Sequence, residues 1–259
     1  MKRISLALVA AAAATSLPSI AHAEDSPLSF NVTLTTDYRY RGISQSRLKP
    51  ALQGGADYAF ASGFYVGAWA STIKWIKDNG SIASVDTGNT NVEIDLYGGY
   101  KGEIQKDFTY DIGVLQYVYP GNKYKDFTTA NANTTELYGA LTYGPLTVKY
   151  SHSLTSLFGT ATTSEDSKGS GYLDLSASFD VGGGVSLTPH IGYQRVASFS
   201  DASYTDYALT AAKDWAGFTW SGALIGADVK KIGGVSVYPS PSGKDLGKAG
   251  LVLAVKKVF

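Results

Sequence analysis

From Phe30 to Arg41 the chain reads FNVTLTTDYRYR, with Phe30, Val32, Leu34, Thr36, Tyr38 and Tyr40 on one parity and Asn31, Thr33, Thr35, Asp37, Arg39 and Arg41 on the other. An alternation of period two kept up for about twelve residues predicts a strand well beyond the usual five or six. The pattern recurs. Val92, Ile94 and Leu96 oppose Glu93 and Asp95, Phe108, Tyr110, Ile112 and Val114 oppose Thr109 and Asp111, and Leu173, Leu175, Ala177 and Phe179 oppose Asp174, Ser176 and Ser178. Twelve such segments are centred near residues 35, 56, 69, 96, 113, 139, 149, 175, 190, 209, 222 and 253. In the third, FYVGAWASTIKW, both faces are apolar. No interval carries the i, i+3, i+4 spacing of a helix over a useful length.

The connections sort by length. ASG, YGP, VGGG, WAG and the somewhat longer KGEIQKD carry the Gly and Pro of tight turns, while those between them are long and polar, from GISQSRLK to DVKKIGGVSVYPSPSGKDLG. Strict alternation of short and long places every short turn at one end of the sheet. An even count of long strands with that asymmetry is the layout of an outer-membrane barrel, with short periplasmic turns and long external loops. The fold class expected is therefore all-β: a transmembrane antiparallel β-barrel of about twelve strands. Its apolar parity meets outer-membrane lipid and its polar parity lines the lumen. The outward aromatics expected at the two interfaces are Phe30, Tyr38, Tyr40, Phe60, Phe64, Tyr100, Phe108, Phe179, Phe218 and Trp220.

The N-terminus agrees. Lys2 and Arg3, the apolar run from Ile4 and the A-x-A site of Ala21 and Ala23 form a secretory signal peptide over 1–23, with Ser16, Pro18 and Ser19 breaking the run short of a membrane span. That leaves 24–259 as the barrel, exported through the periplasm to the outer membrane of a Gram-negative cell. The whole chain has 22 Lys+Arg and 22 Asp+Glu; without Lys2 and Arg3 the balance is 20 against 22, or −2. Nothing basic enough for a nucleic-acid footprint is present. With 0 Cys, neither disulfides nor lipid attachment is available.

The last residues, GLVLAVKKVF, read as a strand ending on Phe259. In a closed barrel the final strand pairs with the first, so no open edge faces lipid. Leu251, Leu253 and Val255 share the parity of Phe259, the pattern of a terminal signal read by the outer-membrane barrel assembly machinery; Lys257, on the same face, departs from a fully apolar version.

Residues 37–71, DYRYRGISQSRLKPALQGGADYAFASGFYVGAWAS, resemble the TorF-type porins of proteobacteria. The run Tyr40, Arg41, Gly42, Ser44 and Ser46 carries the resemblance, with Pro50, Gln53, Gly54, Gly55, Asp57, Tyr58 and the later VEIDLYGGYKGE. It spans essentially the mature chain. What it implies is a pore of undefined substrate, with no catalytic residue to carry over.

Enzyme chemistry finds little purchase. A barrel hydrolase of the His-x-Ser kind needs the imidazole on the serine. Here His152 precedes Ser153 directly, and neighbours in a strand point to opposite faces. His190, after Pro189, faces the lumen alone, and a lone histidine makes no metal site. VGGGV lies between two strands and is a turn rather than a phosphate loop. No catalytic residue, metal or cofactor is expected.

By strand parity the inward ionisable set is Asp37, Asp57, Glu93, Asp95, Asp111, Glu136, Asp174 and Asp206 against Arg39, Arg41, Lys149 and Lys256, with His190 beside them. Two arrangements fit. If these groups line water, the acidic excess favours cations modestly and the barrel passes small hydrophilic solutes. If they pair, as Asp37, Arg39 and Arg41 could with Asp57, they plug the barrel, and a structural or adhesive role falls to the long loops. The loop holding Tyr238, Pro239 and Pro241 is the expected one for contacts or for narrowing the mouth.

Overall fold

A computed structural model of the chain describes residues 26–259, so the signal segment read at 1–23 lies outside the described residues. The chain forms strands β1 (Leu28–Thr35), β2 (Ala51–Ala59), β3 (Phe64–Thr72), β4 (Val92–Gln105), β5 (Phe108–Val118) and β6 (Thr134–Tyr143). Then follow β7 (Leu146–Ser153), β8 (Gly171–Ala177, resumed at Phe179–Asp180), β9 (Val185–Arg195), β10 (Tyr204–Trp215), β11 (Phe218–Asp228) and β12 (Gly250–Val258). Each pairs antiparallel with its sequence neighbours, and β12 closes on β1 with Asn31 opposite Val258 and Thr35 opposite Ala254. The result is a closed barrel of twelve antiparallel strands. Beyond the ladder, Phe30 N–H donates to Phe259 O at 3.2 Å and Phe259 N–H to Phe30 O at 2.9 Å.

One parity of every strand faces outward and is apolar. Val32, Leu34, Leu52, Val66, Leu96, Ile112, Leu141, Leu175, Leu209, Leu224 and Leu251 are all exposed. A contiguous apolar belt of this kind belongs against lipid. At the short-turn rim it is edged by Phe30, Phe60, Phe64, Tyr143, Phe179, Trp215, Phe218 and Trp220, and toward the long loops by Tyr150, Tyr193 and Tyr207. Tyr38 and Tyr40, expected in that outer set, are instead 5% and 8% exposed and lie inside the barrel.

The reason is that β1 stops at Thr35, short of the strand expected to run through Arg41. The alternation of 36–41 continues into a loop, 36–50, that folds into the barrel and carries its own short antiparallel pair, Arg39–Tyr40 with Ile43–Ser44. The turn expected at KGEIQKD is also shorter: β4 and β5 pair down to Gln105 and Phe108 through an irregularity between Glu103 and Gln105.

Two short α-helices lie in the long loops, where the sequence shows no helical spacing of useful length. The second long loop holds α1 (Trp75–Ala83) and the third holds α2 (Tyr124–Thr128). Of the apolar side chains of α1 only Ile76 is fully buried, so no repeating stripe marks the helix in the sequence. Instead Arg47 of the inward loop forms an ion pair with Asp78, and Ser84 in left-handed conformation closes the C-terminus. The third segment is apolar on both faces because Tyr65 and Trp69 pack in the interior while Phe64 and Val66 face lipid.

Candidate functional site

The inward loop makes the interior polar network. At its tip Arg41 and Gly42 have φ of 46° and 78°. Gly42 has no room for a side chain: a Cβ there would lie 2.7 Å from Asp206 Cβ and 2.8 Å from the Gly226 carbonyl. Arg41 then reaches the far wall. Its guanidinium donates to both carboxylate oxygens of Glu136 on β6, at 2.8 and 3.1 Å, and to Gln194 Oε1 on β9 at 2.6 Å. It also lies over the rings of Tyr40 and Tyr172, at 4.7 and 4.2 Å. Arg39 donates to Asp37 at 2.5 Å and to the carbonyls of Gly42, Leu246 and Lys248, while the other Asp37 oxygen accepts Ser44 and Ser46 hydroxyls. The loop is thus pinned at both its base and its tip by fully desolvated charges.

The other inward residues are met mainly by tyrosines. Glu93 accepts the Tyr38 hydroxyl at 2.5 Å and the Tyr119 hydroxyl at 2.6 Å. Asp57 accepts Tyr97 at 2.5 Å, and Asp111 accepts Tyr65 at 2.6 Å with Lys101 at 3.5 Å. Lys149 sits 4.2 Å over the ring of Tyr138. His190, expected to stand alone, has Asp174 at 2.9 Å and Asp206 at 3.6 Å, and Tyr172 donates to Asp206 at 3.0 Å. Neither Arg39 nor Arg41 bridges to Asp57: the loop carries Arg41 across the barrel, and Tyr97 takes Asp57 instead. Asp95 is 0% exposed, and neither of its carboxylate oxygens has a hydrogen-bond partner.

Sequence reasoning passed over these tyrosines, although a signal existed. Inward Tyr97, Tyr65 and Tyr138 lie over Gly67, Gly99 and Gly113 of neighbouring strands, where a Cβ would overlap each ring. Tyrosine and glycine at the same inward parity on paired strands mark rings laid across the wall.

Above the inward loop is a cavity of about 280 Å³ at the long-loop mouth. Every long loop contributes to it. Tyr40 and Gln45 come from 36–50, Trp75 and Asn79 from 73–91, Tyr119 and Tyr124 from 119–133, Phe158 from 154–170, Ala202 from 196–203 and Tyr238 from 229–249. Trp75 meets Tyr119 and Tyr124 edge to face at 5.1 and 5.5 Å, and Tyr204 meets Tyr238 at 5.4 Å. Asn79 donates to the Tyr124 hydroxyl, whose pKa burial pushes up to about 12, so this phenol stays neutral. The 229–249 loop therefore shapes the mouth, as expected of it, but the segment that crosses the interior is 36–50. Outside the cup, the Lys123 ammonium at 2.6 Å and the Gly88 N–H hold the exposed Asp86 carboxyl below its usual range.

A family model described as "Bacterial protein of unknown function (Gcw_chp)" matches residues 21–259. The chain belongs to the Gcw_chp family. Comparison with curated proteins returns no match. Among solved structures, this Gcw_chp chain is similar to the NanC porin, at TM-score 0.53 and 11% identity over 89% of this chain and 98% of that one. It is likewise similar to the KdgM porin, at TM-score 0.52 and 8% identity over 89% and 98%. At such identities the likeness carries the fold alone, a closed antiparallel β-barrel.

In this Gcw_chp barrel Ser153 Oγ donates to the Thr155 carbonyl at 2.8 Å, while His152 stacks obliquely beside Tyr150 on the outward parity. The pair shares no hydrogen bond. Among the described residues no group of three or more His, Cys, Asp or Glu side chains could hold a metal ion.

Proposed function

We propose that the chain is an outer-membrane channel for passive diffusion of small hydrophilic solutes, of the TorF-type porin kind, with 36–50 as its constriction. The observation that carries this reading is the inward loop itself. A barrel kept only as a scaffold could fill its interior with wall side chains, whereas here a separate charged segment, tied to the wall by side-chain hydrogen bonds and lying outside the strand ladder, occupies the path. The residues acting on the solute are then Asp37, Arg39, Arg41, Asp57, Glu93, Asp95, Asp111, Glu136, Lys149, Asp174, His190 and Asp206, and no turnover is involved. Single-channel recording in a planar bilayer tests it. Discrete conductance steps support a channel; their absence, including after the loop is deleted, refutes it and leaves a closed barrel that works through its loops.

The same reading includes a weak cation preference, now resting on fewer groups. Asp37 and Glu136 are matched by arginines, whereas Glu93 is met by phenols and Asp95 has no hydrogen-bond partner. The reversal potential in a salt gradient should favour cations, and the preference should fade as the Debye length falls from about 10 Å at 0.1 M to about 3 Å at 1 M. The Glu93→Gln/Asp95→Asn double variant should lose most of it while still conducting. An unchanged reversal potential would mean that these carboxylates act only in packing.

The reading also assigns Phe259 to recognition by the barrel assembly machinery. Removing Phe259 deletes two backbone hydrogen bonds to Phe30, worth about 0.5–1.5 kcal/mol each. Assembled, heat-modifiable barrel should become scarcer in the membrane, with the conductance of each surviving channel unaltered. Wild-type amounts of the shortened chain would contradict the assignment.

A further inference from the structure

We propose that the cup at the long-loop mouth is a binding site for a small organic cation, an ammonium group on a compact aromatic or apolar body. This rests on the channel reading only for the direction of use, as the place where a solute pauses before the inward loop. Three observations carry it. Aromatic rings from separate elements converge on a space of about 280 Å³: Trp75, Tyr119, Tyr124, Phe158, Tyr204 and Tyr238. Among the described residues that line it, one carries a formal charge, and it is an acid, Glu93. The cation beneath the cup, Arg41, is taken up by its two hydrogen bonds to Glu136 and leaves no free positive charge to repel a ligand or to attract an anion.

The chemistry then selects the ligand. Aromatic faces are the negative poles of ring quadrupoles, and several around one space attract an ammonium group more strongly as water is excluded. Glu93 adds the one acidic group of the lining. Its two oxygens already accept Tyr38 and Tyr119, so the carboxylate is fixed in place, and each oxygen keeps a second lone pair. An anion would find no basic group among the described lining residues, and a neutral body of the same shape would gain the packing without the electrostatic part.

The test compares phenethylammonium, 2-phenylethanol and phenylacetate, which share one body and differ in charge. Each is titrated calorimetrically into the full chain folded in detergent micelles, with empty micelles as blank. The cation should bind about tenfold more tightly than the alcohol, and phenylacetate most weakly. Glu93→Gln should bring the cation close to the alcohol, and Trp75→Ala should weaken both. Equal binding of cation and alcohol in the parent protein, tighter binding of phenylacetate, or no binding at all would overturn the proposal, whether or not the variants fold. Because binding is read in micelles and conduction in bilayers, the two proposals fail separately. Conduction without selective binding removes the cup, and selective binding without conduction removes the channel.

Discussion

Replacing Arg41 with alanine should cost the barrel about 3–5 kcal/mol of stability and increase the current through each channel. Arg41 is 4% exposed and Glu136 2%, so the variant leaves a carboxylate buried among tyrosines with its bidentate partner gone. It also frees Gln194 and removes the guanidinium from between Tyr40 and Tyr172. Most of the loss is thus the stranded charge rather than the worth of the pair. A second variant makes the distinction: Arg41→Met combined with Glu136→Leu removes both charges and should recover most of the stability. The current should stay high in both, since either change releases the loop tip from the far wall. Denaturant unfolding in detergent followed by tryptophan fluorescence, alongside bilayer recording, measures the two effects. A loss below about 1 kcal/mol, or no rescue by the double replacement, would show that the pair does not hold the loop.

Asp95→Asn should act in the opposite sense and stabilise the fold by about 1–2 kcal/mol at neutral pH. Charged side chains with zero exposure are ordinarily paired, yet both oxygens of Asp95 lack a hydrogen-bond partner, and the charges that act on it from Glu93 and Glu136 have its own sign. The amide has nearly the same shape and a far smaller desolvation penalty. Unfolding curves of parent and variant at neutral pH settle the matter; a destabilised Asn variant would point to a partner for Asp95, such as a bound cation. A carboxylate kept at such a cost is what a functional position looks like, since stability alone would remove it.

The wall of this molecule could be read from its sequence because lipid and interior impose opposite demands on adjacent residues, and that demand is written with period two. Val32 and Leu34 face lipid as the alternation required, and the alternating lengths of the connections placed the long loops at one rim. The same rule misled at 36–41. The pair Arg39–Tyr40 with Ile43–Ser44 is itself extended, so its alternation looks like more wall, although there both parities face protein. Side-chain parity places a residue on a face of a strand, but it carries no information on when the chain leaves the sheet. The site was hidden for a related reason. Arg41 and Glu136 are 95 residues apart in the chain, and only the closure of the ladder brings β6 opposite the inward loop. His190 looked solitary because Asp174 and Asp206 are on flanking strands, each two positions or fewer from its register partners Ser176 and Ala208.

The tyrosines are not spread evenly around the interior. Tyr65, Tyr97, Tyr117, Tyr138 and Tyr172 come from β3, β4, β5, β6 and β8, whereas β9 to β12, apart from His190, Gln194 and Tyr204, offer mainly small side chains such as Ser186, Thr188, Ala208, Thr210, Ala212 and Ala223. The circumference of such a hoop is fixed by its backbone ladder, while the bore is fixed by what projects inward. The two are therefore separately adjustable. Exchanging rings for serines along one arc would widen the space beside the inward loop without altering strand number, so the same hoop of strands can hold interiors of very different volume.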